Sequence, residues 1–473
     1  MILFLNAPGV EFHQRSSRWG GKVNRSGYLV PPIFLSIAAA WVDSNGLDAH
    51  ILDAAALGLS SNELDNQIRA MDPDLVVIEA STISINHDVA TALHIRKLHH
   101  AKVALVGLHV SALPEQSLRE YPIDYICVGE YEDTILDLSQ ALKDKTDLSL
   151  IPGLGWRTAG GDVIINSSRP LADINRFPAP DYKELPLKKY WDPIVRNHPC
   201  ISIRTMRGCP FHCVYCVAPQ LIYHGQVRFR KPSLVVEEIR MLRDQGVKEV
   251  FIDDETFTVK RDHVLSICQE IREAGIRMDW SCFGRVDCVD RELLQEMKKA
   301  GCYMIRYGVE SADDQILHNI RKGFTAEQVR EAFILTHSLS IKTHATVMYG
   351  SPGETLESMR KTLDFTIALD PDYAQFTITT PYPGTAYYDQ MKREGRIIAR
   401  NWDEYDGSCR MIVLLDTVKP EDVENFVEES YRRFYFRLHY IFKRLSGIRR
   451  LDEIYYLLRS GFNLFRQRLG GPT

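Results

Sequence analysis

The segment "TMRGCPFHCVYC", residues 205–216, places Cys209, Cys213 and Cys216 in the spacing C-x₃-C-x₂-C. Three soft thiols so close together suit a metal, and the missing fourth ligand decides which one. A structural zinc site closes a tetrahedron with four ligands. The nearest extra donors are His212, Cys200 and His224, and none has a customary zinc spacing. A [4Fe–4S] cube held by three thiolates instead keeps one iron open for a substrate or cofactor. A disulfide framework is the third reading.

The chain as a whole bears on this choice. Its 473 residues exceed one ordinary core, so two or three domains are expected. With 45% hydrophobic and 25% charged residues the chain reads as globular. A net charge of −5 gives no support to nucleic-acid binding. The start "MILFLNAPGV" lacks a basic n-region and a cleavage site, which points to a cytoplasmic, reducing location. There, clustered cysteines bind metal more often than they form disulfides. The remaining seven cysteines are scattered and read as small buried hydrophobes.

The elements that must position the loop are α/β throughout. Residues 1–145 alternate "ILFLN", "AHILD", "DLVVIEA", "KVALVG" and "DYICVG" with helical patterns, which predicts a doubly wound, Rossmann-like parallel sheet. Ligands of such sheets sit at the carboxyl ends of the strands. Those ends carry Asn6–Pro8, Asp53, Glu79–Ser84 (with Ser81 and Thr82), Gly107–Ser111 (with His109) and Gly129–Glu130. Residues 146–195 predict a hairpin turning at Gly160–Gly161 and a proline-punctuated connector. Residues 196–400 give six further βα units, an open or partial barrel, with the cysteine loop after its first strand on the catalytic rim. Residues 401–473 form a helical, aromatic and basic C-terminal region.

C-x₃-C-x-aromatic-C after the first strand of a six-unit barrel closely resembles the radical S-adenosylmethionine (SAM) superfamily. The resemblance implies that SAM takes the open iron, and that reductive cleavage yields a 5′-deoxyadenosyl radical. Tyr215 then shields the cluster or packs on adenine. "FIDDETF" brings Asp253, Asp254 and Glu255 to the place where the family holds the methionine amino group. "RYGVES" offers Glu310 and Ser311 to the ribose. Gly350 and Gly353 of "VMYGSPGET" lie near adenine or simply make turns. Arg285 meets a carboxylate, either the substrate's or an internal one, and Tyr382 of "TPYPGTAYYD" faces substrate on the rim.

The first domain has no G-x-G-x-x-G after its first strand, which disfavours a dinucleotide. "GYLVPPIFLSIAAAW", "ILDAAALGL", "VGLHVSALPE" and "VGEYEDTI" together resemble the cobalamin-binding domain fused to radical SAM barrels. Many cobalamin proteins carry D-x-H-x-x-G, whose histidine ligates cobalt. Here Asp53 and Gly58 keep the frame and Ala55 holds the histidine position, implying cobalt without a histidine from this motif.

The combination implies a cobalamin-dependent radical SAM methyltransferase acting on unactivated carbon, with a small-molecule or lipid substrate and a flavodoxin- or ferredoxin-type electron donor. Cyclisation or rearrangement on the same cofactors is the alternative. Methylthiolation would call for a cysteine-rich N-terminal domain, and Cys127 is the only cysteine before Cys200. The tail, with ten arginines and lysines between Arg432 and Arg468 against Asp452 and Glu453, suits either an anionic inner membrane face or helices packed on the barrel.

Overall fold

A computed structural model describes residues 1–8, 28–158 and 160–446. In the first half, β1 (Ile2–Asn6), β2 (Ala49–Asp53), β3 (Leu75–Glu79), β4 (Lys102–Val106) and β5 (Tyr125–Cys127) are all parallel, and β6 (Leu154–Arg157) and β7 (Val163–Ile165) add antiparallel in the order β2-β1-β3-β4-β5-β6-β7. Strand residues alternate between the two covered faces, as a doubly wound sheet requires. Phe4 and Val77 pack with Leu35 and Val42 of the helix Ile33–Ser44. Leu3, Leu5, Val76 and Ile78 pack with Leu64, Ile68, Val89 and Ile95 of the helices Ser61–Met71 and Ile85–His99. The hairpin expected in the 146–195 connector is present, and it extends this sheet instead of standing alone: Leu154 to Trp156 pair with Cys127 to Tyr125.

The second half begins with β8 (Cys200–Ile203), followed by a two-stranded antiparallel ribbon of β9 (Met206–Arg207) and β10 (Arg228–Phe229). Then come β11 (Glu249–Ile252), β12 (Asp279–Gly284), β13 (Cys302–Glu310), β14 (Lys342–Tyr349) and β15 (Tyr373–Ile378). β8 and β11–β15 form one six-stranded parallel sheet in sequence order, the partial barrel. An open sheet leaves an edge with unpaired backbone groups. At β15 that edge is covered by the helix Pro420–Tyr435 and the turn after it. The Tyr431 hydroxyl accepts from Phe376 N at 3.2 Å, and the Tyr435 hydroxyl donates to Ala374 O at 2.7 Å. Tyr440 donates to Asp372 O at 3.0 Å.

This arrangement decides much about residues 420–446. Their basic side chains turn to the barrel: Arg433 to Asp364 (2.8 Å), Lys443 to Asp370 (2.8 Å), Arg444 to the Tyr373 hydroxyl (2.8 Å). The helix Pro420–Tyr435 shows solvent the polar Glu421, Asn425, Glu428 and Arg432, whereas from 436 onward the outward surface is largely apolar, with Phe436 61%, Leu438 74% and Phe442 68% exposed. The described half of the tail is therefore barrel packing with an uncovered apolar stripe. Residues 447–473, which carry the rest of the basic run, lie outside the described residues. Before these helices, the C-terminal region starts as a strap. Trp402 packs edge-on against His109 of the first domain (centroids 5.0 Å), and Asn86 donates to Asp403 at 3.3 Å.

Candidate active site

The cysteine loop springs from the ribbon β9–β10. Gly208 makes its entry possible: φ is +93°, and a Cβ there would stand 1.9 Å from the Gln226 carbonyl oxygen, a place only glycine can occupy. Gly208 N–H donates to Glu255 at 3.2 Å, and the Cys209 sulfur and Thr256 hydroxyl are 3.4 Å apart. Cys209 and Cys213 are buried, and Cys216 is half-buried. Among the described residues no three metal-binding side chains are gathered on one point. A cube takes one thiolate per iron, so its three sulfurs spread around separate corners.

Of the acidic trio after β11, Asp254 is given to the chain itself. It accepts from Thr205 N (2.7 Å), Met206 N (3.1 Å) and the Thr205 hydroxyl, pinning the approach to the cysteine loop. Burial pushes its carboxyl up to about 7. Asp253 and Glu255 both take Arg204, at 3.2 and 2.8 Å. Glu255 is the member of the trio that touches both Arg204 and the backbone beside Cys209.

Glu310 closes the other side. Its backbone is left-handed, with φ +62°, at a register shift where β13 leaves β14. Oε1 accepts from Lys322 Nζ (2.7 Å) and from the Tyr215 hydroxyl (3.1 Å), while the buried Oε2 has no hydrogen-bond partner among the described residues. Burial alone would lower the Lys322 ammonium, but the Glu310 carboxylate holds it above its usual value. A buried acceptor without a donor beside a cysteine loop fits a ligand with hydroxyls, as the SAM ribose has. Ser311 instead lies within 3.2 Å of the Thr362 hydroxyl.

Other expected residues are brought near but otherwise engaged. Arg285 makes a two-point pair with Asp287 (both 2.9 Å), donates to Lys322 O (2.7 Å) and lies 3.5 Å over the Phe211 ring of the cysteine loop. The carboxylate it meets is internal. A Cβ on Gly350 would press on Met411 and one on Gly353 on Asn319, so both glycines serve turn and packing. Tyr382 is half-buried, its hydroxyl donating to Tyr405 O at 3.3 Å.

The strand ends of the first sheet converge on the barrel across a small cavity of about 50 Å³. It is lined by Glu79, Gly107 and Gly129 on one side and Arg204, Tyr223 and Glu255 on the other. Ser111 joins its walls, donating to Gly107 O (2.7 Å) and accepting from Gly129 N (3.0 Å). Ser81 bonds Ser84, and Thr82 lies 3.4 Å from His109, whose imidazole burial lowers to about 4. Glu130 faces two arginines of the ribbon.

Asp53 lies elsewhere, and the reading of its loop is corrected. β2 is an edge strand, whereas the switch-point crevice of this strand order opens between β1 and β3. The Asp53 carboxylate accepts from Asn6 Nδ2 (2.7 Å), Ala56 N (2.9 Å) and the Tyr190 hydroxyl (2.8 Å), tying a turn to β1 and to the connector. Ala55 therefore says nothing about cobalt's lower face. The chain following β1 runs into residues 9–27, outside the described residues. The sequence reading missed Lys322, Arg207 and Arg228, because each acts on a partner remote in the chain. Only Arg207, two residues before Cys209, carried a local hint.

Comparison with known proteins agrees with this geometry. Residues 203–366 match the model of the radical SAM superfamily, and residues 22–139 match that of the B12 binding domain. An uncharacterized methyltransferase of Pyrococcus horikoshii is 32% identical over 91% of this chain and 95% of its own. An anaerobic magnesium-protoporphyrin IX monomethyl ester cyclase of Rubrivivax gelatinosus is 28% identical over 91% of this chain and 79% of its own. The fold is that of TsrM, a radical SAM methyltransferase from Kitasatospora setae solved with cobalamin and a [4Fe–4S] cluster, at TM-score 0.71 and 16% identity over 99% of both chains. The chain belongs to the radical SAM superfamily, in the methyltransferase-like branch that carries a B12-binding domain ahead of the barrel.

Proposed function

We propose that the protein transfers a methyl group from SAM, by way of cobalamin, to an unactivated carbon of a small-molecule or lipid substrate. The observation that carries this reading is the shared cavity, which the strand ends of the B12-binding sheet and the segment leading into the cysteine loop line together. Its cofactors are a [4Fe–4S] cluster, SAM and cobalamin, which together supply a hydrogen-abstracting radical and a transferable methyl group. The chain's own part is to hold and orient. Cys209, Cys213 and Cys216 would carry the cluster, Glu310 a ribose hydroxyl, and Glu255 with Arg204 the base of the loop. Electrons would come from a flavodoxin- or ferredoxin-type donor.

Product analysis tests the reaction. One S-adenosylhomocysteine and one 5′-deoxyadenosine should form per methylated product, with deuterium from the attacked carbon appearing in the deoxyadenosine. Deoxyadenosine formed with product but without homocysteine species would replace methyl transfer by cyclisation or rearrangement, a reaction that the name of the Rubrivivax gelatinosus relative attaches to a similar chain. The exposed apolar stripe at Phe436, Leu438 and Phe442, next to the basic sequence beyond it, supports peripheral contact with an anionic bilayer.

A further inference from the structure

The ribbon that carries the cysteine loop is bolted to the first domain. Arg207 and Arg228 are partners in register across β9 and β10, and both reach the same carboxylate. Arg207 Nη1 donates to Glu130 Oε1 at 2.8 Å. Arg228 takes both oxygens of Glu130, Nη1 to Oε2 at 2.8 Å and Nη2 to Oε1 at 2.6 Å. The second arm of Arg207 donates to Glu132 at 2.5 Å. The Arg207 guanidinium also lies over Phe34 (5.2 Å) and Phe177 (5.3 Å), which wall it in. Side chains of Arg207, Glu130 and Glu132 are nearly sealed from solvent, and burial notwithstanding, the two arginines keep the Glu130 carboxyl below its usual range.

We propose that Glu130 is a positioning residue: through Arg207 and Arg228 it sets the distance and orientation of the cysteine loop relative to the B12-binding sheet. Three features carry this. Glu130 directly follows Gly129 past the carboxyl end of β5, and both line the cavity between sheet and barrel. Arg207 stands two residues before Cys209, with Gly208 fixed by the Gln226 carbonyl behind it and Glu255 in front, so little slack lies between the bolt and the first cysteine. A two-point Arg–carboxylate pair fixes the mutual orientation of the groups it joins, while burying its charges offsets much of the attraction. A misplacement of about 1 Å between reacting groups can lower a rate about 100-fold. The inference assumes that cobalamin and cluster face one another across the cavity, but it does not depend on which product forms.

The test uses the full chain with Glu130→Gln, Arg228→Met, the milder Arg228→Lys, and the charge exchange Glu130→Arg with Arg228→Glu. Four readouts apply, one of them the 5′-deoxyadenosine released per product. Iron and cobalamin content report loading. The electron paramagnetic resonance of cob(II)alamin beside the reduced cluster reports their spin–spin coupling. Hydrogen exchange of residues 206–229 in protein free of both cofactors reports the ribbon itself. Both neutral variants should keep the cofactors, show a weakened and more dispersed spin coupling, exchange the ribbon amides at least tenfold faster, and release about tenfold more 5′-deoxyadenosine per product. Arg228→Lys should fall between them and the parent, and the charge exchange should recover coupling lost in the single variants. Unchanged coupling and exchange in the neutral variants would overturn the proposal. So would loss of cobalamin from Glu130→Gln alone with Arg228→Met unaffected, since that would make Glu130 a cofactor contact. If neither neutral variant folds, the comparison of Arg228→Lys with the charge exchange decides in the same way.

Discussion

The Tyr215 hydroxyl, one residue before the last cysteine of the cluster loop, donates a 3.1 Å hydrogen bond to Glu310 at the end of β13. Lys322 Nζ completes the triangle, 2.7 Å from Glu310 and 3.2 Å from Tyr215. The triangle holds one carboxylate oxygen and leaves the other, buried, without a hydrogen-bond partner among the described residues. It thereby couples the loop that would hold the cluster to the strand end that would hold SAM.

Glu310→Gln should weaken SAM binding about tenfold or more, since a hydrogen bond to a charged group is worth about 1.5–3 kcal/mol. Gly308→Ala should act in the same direction without touching the carboxylate chemically. Its Cβ would stand 2.5 Å from Glu310 Oε1 and 2.9 Å from Lys322 Nζ, pushing both aside. Equilibrium titration of SAM onto cluster-loaded protein measures this. Unaltered affinity in both variants would remove Glu310 from the SAM site.

The cluster assignment makes a sharper forecast. Anaerobically reconstituted protein should hold about four irons and four sulfides in this site. Cys213→Ala should lose the cluster and SAM cleavage together. Gly208→Ala should lose most of the iron with every cysteine present, because the loop cannot enter on its present path. Its left-handed φ alone costs an ordinary residue about 1–2 kcal/mol. A triple alanine variant at Cys209, Cys213 and Cys216 that kept iron–sulfur absorbance would refute the assignment.

What the sequence disclosed, and what it did not, divides along a physical line. The strands of both sheets were legible because each is a short apolar run between turn signals, and the cysteine loop because its spacing is local. The destination of the 154–165 hairpin was not, since alternation marks a strand without naming its neighbour. Asp53 misled because a matching local frame, D-x₄-G, stands on the edge strand and not at the switch point. Arg285 and Asp254 were recognised as charged groups at strand ends. Their actual partners, Asp287 and the Thr205–Met206 backbone, depend on three-dimensional packing that no spacing rule encodes.

Three buried carboxyls, Asp254, Glu249 and Glu354, give stability a pH dependence. Burial pushes Glu249 up to about 8, against hydrogen bonds from Tyr303 (2.5 Å) and Asn197 N (2.9 Å), and it raises Glu354 to about 8 and Asp254 to about 7 as well. A folded pKa above the unfolded value means that the folded state binds more protons between the two. Stability should therefore fall as pH rises from about 4 to 8, by at most about 1.4 kcal/mol per pH unit for each group, with the Asp254 share ending near about 7, and level off above. Glu249→Gln mimics the protonated form and should flatten its share of that slope. Urea unfolding of the two proteins at pH 5, 6.5 and 8 would show it, and parallel slopes would contradict the account.

The exposed stripe on the last described helix, Leu438–Ser446, yields the final prediction. Side-chain variants suit the test, since removing the tail from Tyr431 onward would take away Tyr431 and Tyr435, whose hydroxyls cover the backbone of β15, and would destabilise the barrel itself. Leu438→Ser with Phe442→Ser changes only side chains that are 74% and 68% exposed, so thermal stability should hold. Flotation with vesicles rich in anionic lipid should bring the parent protein to the top. Salt should weaken that binding, because the arginines at 449, 450, 459, 466 and 468 would contribute about 1 kcal/mol each near the surface. The double serine variant should remain in the unbound fraction. Equal recovery of parent and variant at the bottom of the gradient would assign the stripe no role at a bilayer.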